Sequence, residues 1–441
     1  MKKSIYLLLI FTLLYMATAC VGEPEYQTYF GDVYAFESET EEDVETKGLV
    51  NFPGKIVIIT HDDNSWGARE RYFSTKHLVD MHGSENIIHL TVPTRMWCDL
   101  GEHSSVSSQE ILLPIVEEIA GNPEVRVLIL NPVDVGDDYY FVSMIRERRD
   151  DIFVIYIDHD FPRGRSNTVI TDEYGYPMQV DNSRLFSTYR ADLVLGLNRG
   201  EVPIASIHQA RNLGAETFIL FRHEDSDPED EVLVGMRTTA ERIGLNLIEV
   251  LFNGIECGSS LNEFMVETIP PLIEEHGLNT VLFGLEQWRL LWDSIARGTM
   301  FVPIVHDFNP SPHMIVSDLF IPSLQEMIND SEQFYHRDNL SFIIDETRKM
   351  LAETNMLGRV SSWPVSIRDM FIYAAVEYGI LWMNGEVTAN EIDFGALSEI
   401  MNDYIVRYSG EHELRVDASL FSDGVNYFPN HFLFLMDYLV Y

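Results

Sequence analysis

Lys55-Ile56-Val57-Ile58-Ile59-Thr60-His61-Asp62 decides the reading of this chain. Its run of consecutive β-branched residues has no polar face. It reads as a strand covered on both sides, which is the signature of a parallel sheet sandwiched between helices. Immediately after it come polar residues, and then a helical pattern over 67–81. Outward from there the same alternation continues. Apolar runs at 56–60, 87–92, 125–131, 152–157, 193–197, 217–221, 246–252, 280–284 and 300–305 are separated by amphipathic stretches at 67–81, 107–120, 140–149, 202–213, 230–243, 261–276 and 287–297. Strand–helix alternation of this kind builds right-handed parallel units.

So many units exceed one comfortable sheet, and the two solutions are a (β/α)8 barrel and a pair of lobes. Two features favour lobes. After Leu213-Gly214-Ala215 a second strand–helix series starts at Glu216. A long helical tail begins after Pro322, with segments at 324–329, 343–354 and 367–384, where a barrel would have closed and stopped. The expected fold is α/β, with two Rossmann-like lobes of parallel sheet joined by a hinge. The expected division is 51–213 for the first lobe with a return segment at about 309–385, 214–308 for the second, and 386–441 as an extension packing on the lobes. Residues 160–190, polar and rich in Gly and Pro, read as a long excursion. The aromatic end, 427–441, is expected to pack as a terminal strand across a hinge or sheet edge.

The amino terminus carries a different kind of information. Met1-Lys2-Lys3, an apolar run over 5–15 and then Ala17-Thr18-Ala19-Cys20 read as a secretory signal. The small residues before cysteine resemble a bacterial lipobox, with Ala17 where that pattern usually has leucine. The resemblance implies cleavage before Cys20 and a lipid on that residue. Residues 21–50 then form an acidic tether, around Glu37-Ser-Glu-Thr-Glu-Glu-Asp-Val-Glu-Thr46, kept extended by self-repulsion. The expected location is the cell envelope, on the extracytoplasmic side of a membrane.

The whole chain has 30 basic and 70 acidic residues, a formal charge of −40. Loss of Lys2 and Lys3 with the signal leaves 28 basic against 70 acidic, about −42. That balance excludes nucleic acid and a bare anionic bilayer as partners, since both require basic patches. Besides Cys20 there are only Cys98 and Cys257, too few for a disulfide scaffold, and whether they pair stays open.

In parallel sheets ligands gather beyond the carboxyl ends of the strands. Those positions hold His61, Asp62 and Trp66; Trp97; Asn131; Asp158 and His159; Asn198; Arg222; Glu286; and Asp307. Polar groups interspersed with indoles suit a cleft that stacks on one part of a ligand and hydrogen-bonds the rest. His-Asp recurs at three of these ends, in His61-Asp62, Asp158-His159-Asp160 and His306-Asp307. Imidazole and carboxylate are metal ligands, but the same residues also line wet clefts and cap helices. The fixed spacing of a structural metal site is missing, and neither metal nor cofactor is expected. No Walker loop, Gly-x-Gly-x-x-Gly, Gly-x-Ser-x-Gly or His-Glu-x-x-His follows any strand, so no catalytic residue is assigned.

The stretches Lys55-Ile-Val-Ile-Ile-Thr60, Gly67-Ala-Arg69, His82-Gly83, Ile87-Ile-His-Leu-Thr-Val-Pro93, Leu128-Ile-Leu-Asn131, Asn212-Leu-Gly-Ala-Glu-Thr-Phe218 and Gly358-Arg-Val-Ser-Ser-Trp-Pro364 resemble type I periplasmic binding proteins. More narrowly, they resemble an uncharacterised bacterial lipoprotein family of that fold. The resemblance spans about 52–390. It implies a hinged cleft and service to an ABC importer, and it carries over no binding residues. Three functions stand as expectations. The first is capture of a small polar ligand (a sugar, a nucleoside or a cationic solute) with an importer permease as partner. The second is a ligand-sensing or surface-interaction lipoprotein without transport. The third is an extracytoplasmic metal-dependent hydrolase.

Overall fold

The computed structural model describes residues 53–61, 66–92, 108–131, 135–158, 169–171, 177–179, 191–198, 200–224, 226–252, 259–284, 287–303, 311–319, 321–422 and 427–441. The first series comprises β1 (Lys55–His61), α1 (Trp66–His82), β2 (Ile87–Val92), α2 (Ser108–Gly121), β3 (Val125–Leu130), α3 (Val135–Arg148) and β4 (Phe153–Asp158). Two short strands, β5 (Val169–Thr171) and β6 (Pro177–Gln179), pair only with each other, and β7 (Leu193–Leu197) resumes the series. The second series is α4 (Val202–Asn212), β8 (Thr217–His223), α5 (Glu231–Ile243), β9 (Asn246–Phe252), α6 (Ser259–His276), β10 (Thr280–Gly284), α7 (Gln287–Arg297) and β11 (Met300–Phe301).

A helical block follows: α8 (Pro312–Asp318), α9 (Gln325–Asn329), α10 (Ser331–Phe334) and α11 (Leu340–Glu353), with 3-10 turns at Pro322–Leu324 and Arg337–Asn339. The chain closes with β12 (Ser361–Ser362), α12 (Ile367–Met383), α13 (Phe394–Ser409), β13 (Val416–Ser422), β14 (Tyr427–Met436) and β15 (Leu439–Val440).

Two sheets result. Sheet 1 has the order β2-β1-β3-β4-β7-β14-β13, parallel except for the antiparallel pair β13–β14. Sheet 2 has the order β9-β8-β10-β11 and is parallel throughout. Both start from a central strand and wind outward, the doubly wound plan that leaves a crevice at the carboxyl ends. The first strand behaves as its composition demands: Ile56, Val57, Ile58 and Ile59 are each at most 1% exposed. Full burial of such a side chain contributes roughly 1.5–3 kcal/mol. Val57, Ile59, Leu128 and Leu130 pack with α2 and α3 through Ile115, Ile119, Phe141 and Ile145. Ile56, Ile58, Val127 and Ile129 face the other way. They join one continuous cluster that takes in Leu78 of α1, Phe371 and Ala375 of α12, and Ile219, Phe221 and Leu282 on the inner side of sheet 2. The outer side of sheet 2 packs Phe218, Leu220 and Phe283 against Ile207, Ala210, Leu233 and Met236.

Local chemistry sets the element ends. Asp230 caps α5, its carboxylate accepting from Val232 N at 3.0 Å and Leu233 N at 3.3 Å, and Gly244 ends the helix in the left-handed conformation. Helix α12 is apolar all round and is buried on nearly every side, between sheet 1 and α13. At the end of β10, Gly284 has φ +132°, and a Cβ there would lie 2.2 Å from Phe221 O of β8. Gly284→Ala should therefore force β8 and β10 apart and lower stability by roughly 2–3 kcal/mol in a urea titration. A change under about 0.5 kcal/mol, the surface-substitution range, would contradict that geometry.

The C-terminal region, expected as an extension packing on the lobes and as a strand at a hinge or sheet edge, extends sheet 1 through residues 416–436. β14 pairs in parallel with β7, from His431↔Val194 to Phe434↔Leu197, and β13 forms the edge. The reason is the free edge of β7, fully buried on its faces, which needs a partner for its backbone. Only β15 crosses between elements as anticipated for a terminal strand, pairing with β12. Among the described residues no helix is long and apolar enough to cross a membrane.

Candidate functional site

Thr60 is the penultimate residue of β1 and Asn131 directly follows the neighbouring strand β3, and both are fully buried. The Asn131 N–H donates to Ile59 O at 3.0 Å, which holds its backbone in the sheet. Leu130 packs toward α2 and α3, so the alternation of a strand turns Asn131 to the opposite face, that of α1 and α12. Among the described residues neither Nδ2 nor Oδ1 of Asn131 has a hydrogen-bond partner. Beside it Thr60 Oγ1 lies 2.7 Å from Nε2 of His89 on β2, so three adjacent strands present a polar row on one face.

The helices above this row are set by contacts at their far ends. A Cβ on Gly379 would lie 3.0 Å from Val127 at the start of β3, and Trp382 stacks on Phe153 at the start of β4 with centroids 5.0 Å apart. His82, the last residue of α1, is 3.4 Å from Glu377. Both helices therefore end at the amino edge of sheet 1 and begin at its carboxyl edge. Arg368 precedes Gly379 by three helical turns on the same face, about 16 Å away. Asn131 is four strand residues beyond Val127, about 13 Å. Arg368 thus stands just past Asn131, over the edge of the sheet. Its Nη1 is 3.3 Å from Oε2 of Glu70 in α1, and both side chains are at most 10% exposed. Sequence reading missed this pair, because its members are 298 positions apart and neither follows a strand.

Next to it Arg337 Nη2 donates to Asp369 Oδ1 at 2.8 Å and to Ser74 O at 2.9 Å. The Tyr404 hydroxyl donates to the other Asp369 oxygen. Burial, and then the Asp369 charge, push the Tyr404 phenol well above its ordinary value, so it stays a donor.

The other sequence-chosen residues fall into three groups. Arg222 is on the wrong face. With Phe218 and Leu220 it points to the α5 side of sheet 2, where its Nε donates to Glu249 at 2.6 Å and Arg237 grips the same carboxylate at 2.6 and 2.8 Å. Asn198 follows β7 and donates from Nδ2 to Ser419 Oγ at 3.4 Å, a link within lobe 1. His61 and Asp158 are the last residues of β1 and β4, and Trp66 is the first of α1. Asp62, Trp97, His159, Glu286 and Asp307 lie outside the described residues, as does Cys20. The structure thus sets Asn131 beside Thr60 at the end of neighbouring strands, holds Glu70 and Arg368 as a pair on α1 and α12, and engages Arg222 with Glu249.

A shallow pocket at the opposite edge is lined by Gly54, Lys55, Glu85, Asn86, Glu124 and Arg126. Its lysine is occupied by Glu124 at 2.9 Å, and it sits at the amino ends of the strands, so the unpartnered Asn131 amide is the stronger indicator. No group of three or more His, Cys, Asp or Glu suited to a metal ion occurs among the described residues.

Burial lowers four imidazoles: His77 to about 3, His89 to about 4, His431 to about 3, and His313 as well. Each binds its proton more weakly folded than unfolded. Protons therefore go first to the unfolded chain, and stability falls as pH drops below the unfolded value near 6.5. Each site should remove roughly 1 kcal/mol per pH unit between about pH 6 and its folded value. Urea midpoints measured from pH 7 to pH 4.5 should decline steeply, and a flat profile would contradict neutral burial.

Two lobes of doubly wound parallel sheet, with helices on both faces and polar groups at the carboxyl edge, define the type I periplasmic-binding-protein architecture anticipated from the sequence. A proposed transcriptional regulator from Clostridium difficile 630 shares this fold, with a TM-score of 0.64 and 16% identity over 89% of this chain and 100% of that one. At that identity the likeness speaks for the fold alone. Two others are more distant. A sugar ABC transporter from Actinomyces odontolyticus ATCC 17982 has a TM-score of 0.40 and 10% identity over 76% of this chain and 84% of that one. The sugar-binding protein of a sugar ABC transporter from Bacillus halodurans has a TM-score of 0.38 and 14% identity over 76% and 89%. Neither is close enough to carry an argument. No family model and no curated protein matches the chain.

Proposed function

We propose that this chain is an extracytoplasmic solute-binding protein, lipid-anchored through Cys20, that captures a small polar molecule at the carboxyl edges of its sheets. The observation that supports this most directly is the Asn131 amide. It is fully buried, has a donor and an acceptor without a partner among the described residues, and follows a strand at the edge where doubly wound sheets receive ligands. A buried polar group without a partner costs roughly 1–3 kcal/mol, so its retention points to a partner absent from the free protein. Arg368 and Glu70 add a donor and an acceptor of opposite charge above it. His61, Asp62, Trp66, Trp97, Asp158, His159, Glu286 and Asp307 are proposed as the remaining wall, and an ABC importer permease as the recipient of the solute.

A ligand that binds only the folded state raises the melting temperature by mass action, by about 2.7 kcal/mol of stability at a hundred times Kd. The mature chain in detergent would be screened by thermal shift against sugars, nucleosides, amino acids and polyamines. A shift with one class, lost in Asn131→Leu, is the expected result. If no class shifts the folded protein, the alternative reading takes over, in which the lipoprotein presents its surface to another protein.

A further inference from the structure

Residues 437–441 join the two lobes with no slack. At the end of β14 the chain is still part of sheet 1, where Asn198 N donates to Phe434 O at 2.9 Å. Asp437 also belongs to lobe 1: its N–H donates to Arg415 O at 3.0 Å and its Oδ2 accepts from Arg415 N at 2.9 Å. The very next residue is held by the other lobe. The Tyr438 hydroxyl is 2.9 Å from Ser206 Oγ of α4, whose Ile207 and Ala210 pack on sheet 2, and its ring lies between the outer core of sheet 2 and the central cluster. Burial pushes that phenol up to about 12 despite the Ser206 hydrogen bond, so it remains a neutral, bonded group.

Beyond it, Leu439 and Val440 pair with Ser362 and Ser361. Tyr441 N donates to Val360 O at 3.0 Å, and its hydroxyl is 2.9 Å from Ser362 Oγ. Val360 in turn bridges in parallel to Phe301 on the edge strand of sheet 2. The final strand is therefore laid, through 360–362, onto sheet 2. Residues 360–366, which lead into α12 on sheet 1, are themselves one of the links between the lobes, and β15 stiffens that link along its length.

Consecutive Cα atoms are about 3.8 Å apart. With Asp437 bonded to one lobe and Tyr438 to the other, parting of the sheets has to turn about that single linkage or draw Tyr438 out of its core. We propose that 437–441 is an inter-lobe strap that limits how far the lobes open. This inference rests on the fold and its hydrogen bonds, and it is independent of the ligand.

The test uses the mature full chain in detergent, with dyes attached to genetically encoded azide residues at Glu118 of α2 and Glu241 of α5, both exposed. Single-molecule energy transfer then reads the separation of the lobes. Deleting 438–441 should shift the distribution to longer separations and broaden it. Tyr438→Phe keeps the ring and removes only the bond to Ser206, and it should give a smaller shift of the same sign. The strap is overturned if Tyr438→Phe matches the parent while the deletion either matches it too or simply unfolds, because the segment would then hold the fold and not the gap.

Discussion

Replacing Arg337 by alanine is expected to lower the stability of the folded chain by roughly 3–5 kcal/mol, the cost of leaving half of a buried ion pair behind. Arg337 is 2% exposed. It comes from the 3-10 turn before α11 and ties together three other elements. It donates to Ser74 O of α1 and to Asp369 of α12, and it lies among the rings of Tyr373, Tyr404 and Tyr408 with centroids 5.6, 6.0 and 5.7 Å away. In Arg337→Ala the Asp369 carboxylate would keep only the Tyr404 hydroxyl and the N-terminus of its own helix as compensation. Removing both charges is a different matter, because a pair replaced by apolar groups of similar volume loses little. Arg337→Met combined with Asp369→Leu should therefore recover most of the loss, giving a coupling energy of at least about 2 kcal/mol in a double-mutant cycle. Additive single effects in urea unfolding would mean that the two groups do not depend on each other.

Asn131→Leu is expected to act in opposite directions on stability and binding. Leucine has nearly the shape of asparagine and no polar atoms. In the free protein it removes a buried amide whose Nδ2 and Oδ1 have no partner among the described residues. Stability should rise by roughly 1–3 kcal/mol. The same change should abolish the thermal shift given by the ligand, or weaken binding at least tenfold, the effect of losing about 1.4 kcal/mol. A fall in stability would show that the amide is satisfied in the free state. A rise in stability with affinity intact would leave the fold reading standing and move the ligand away from β3.

Much of this was legible in the residues. The run 55–60 gave a strand buried on both faces, and the restart at Glu216 gave the second sheet, because continuous β-branched runs have few alternative fates. Asn131 was chosen by position alone, as the polar residue that follows Leu128-Ile-Leu. Arg222 was chosen by the same rule, and its side chain takes the α5 face, where Glu249 holds it, for a reason of parity. Ending a strand does not say which face a side chain takes, and Leu220, two residues earlier, faces α5. Glu70 and Arg368 were invisible because they meet only once α1 and α12 lie side by side on the sheet. β14 was legible as a strand but not as a member of sheet 1, since nothing local tells a strand 230 or so residues downstream of β7 that β7 is its neighbour.

That last pairing has a consequence for how the chain is made. Sheet 1 begins with β1 and is finished by β13 and β14, so the edge of β7 has no neighbour until residue 436 is available. During synthesis the first lobe is held incomplete while more than 200 further residues are added. Contacts that close such long loops form slowly. A nascent chain of this design cannot lock its amino-terminal half early, and it stays extensible until β14 has been made. Over the same interval it presents an open apolar strand edge on which a holding chaperone can act.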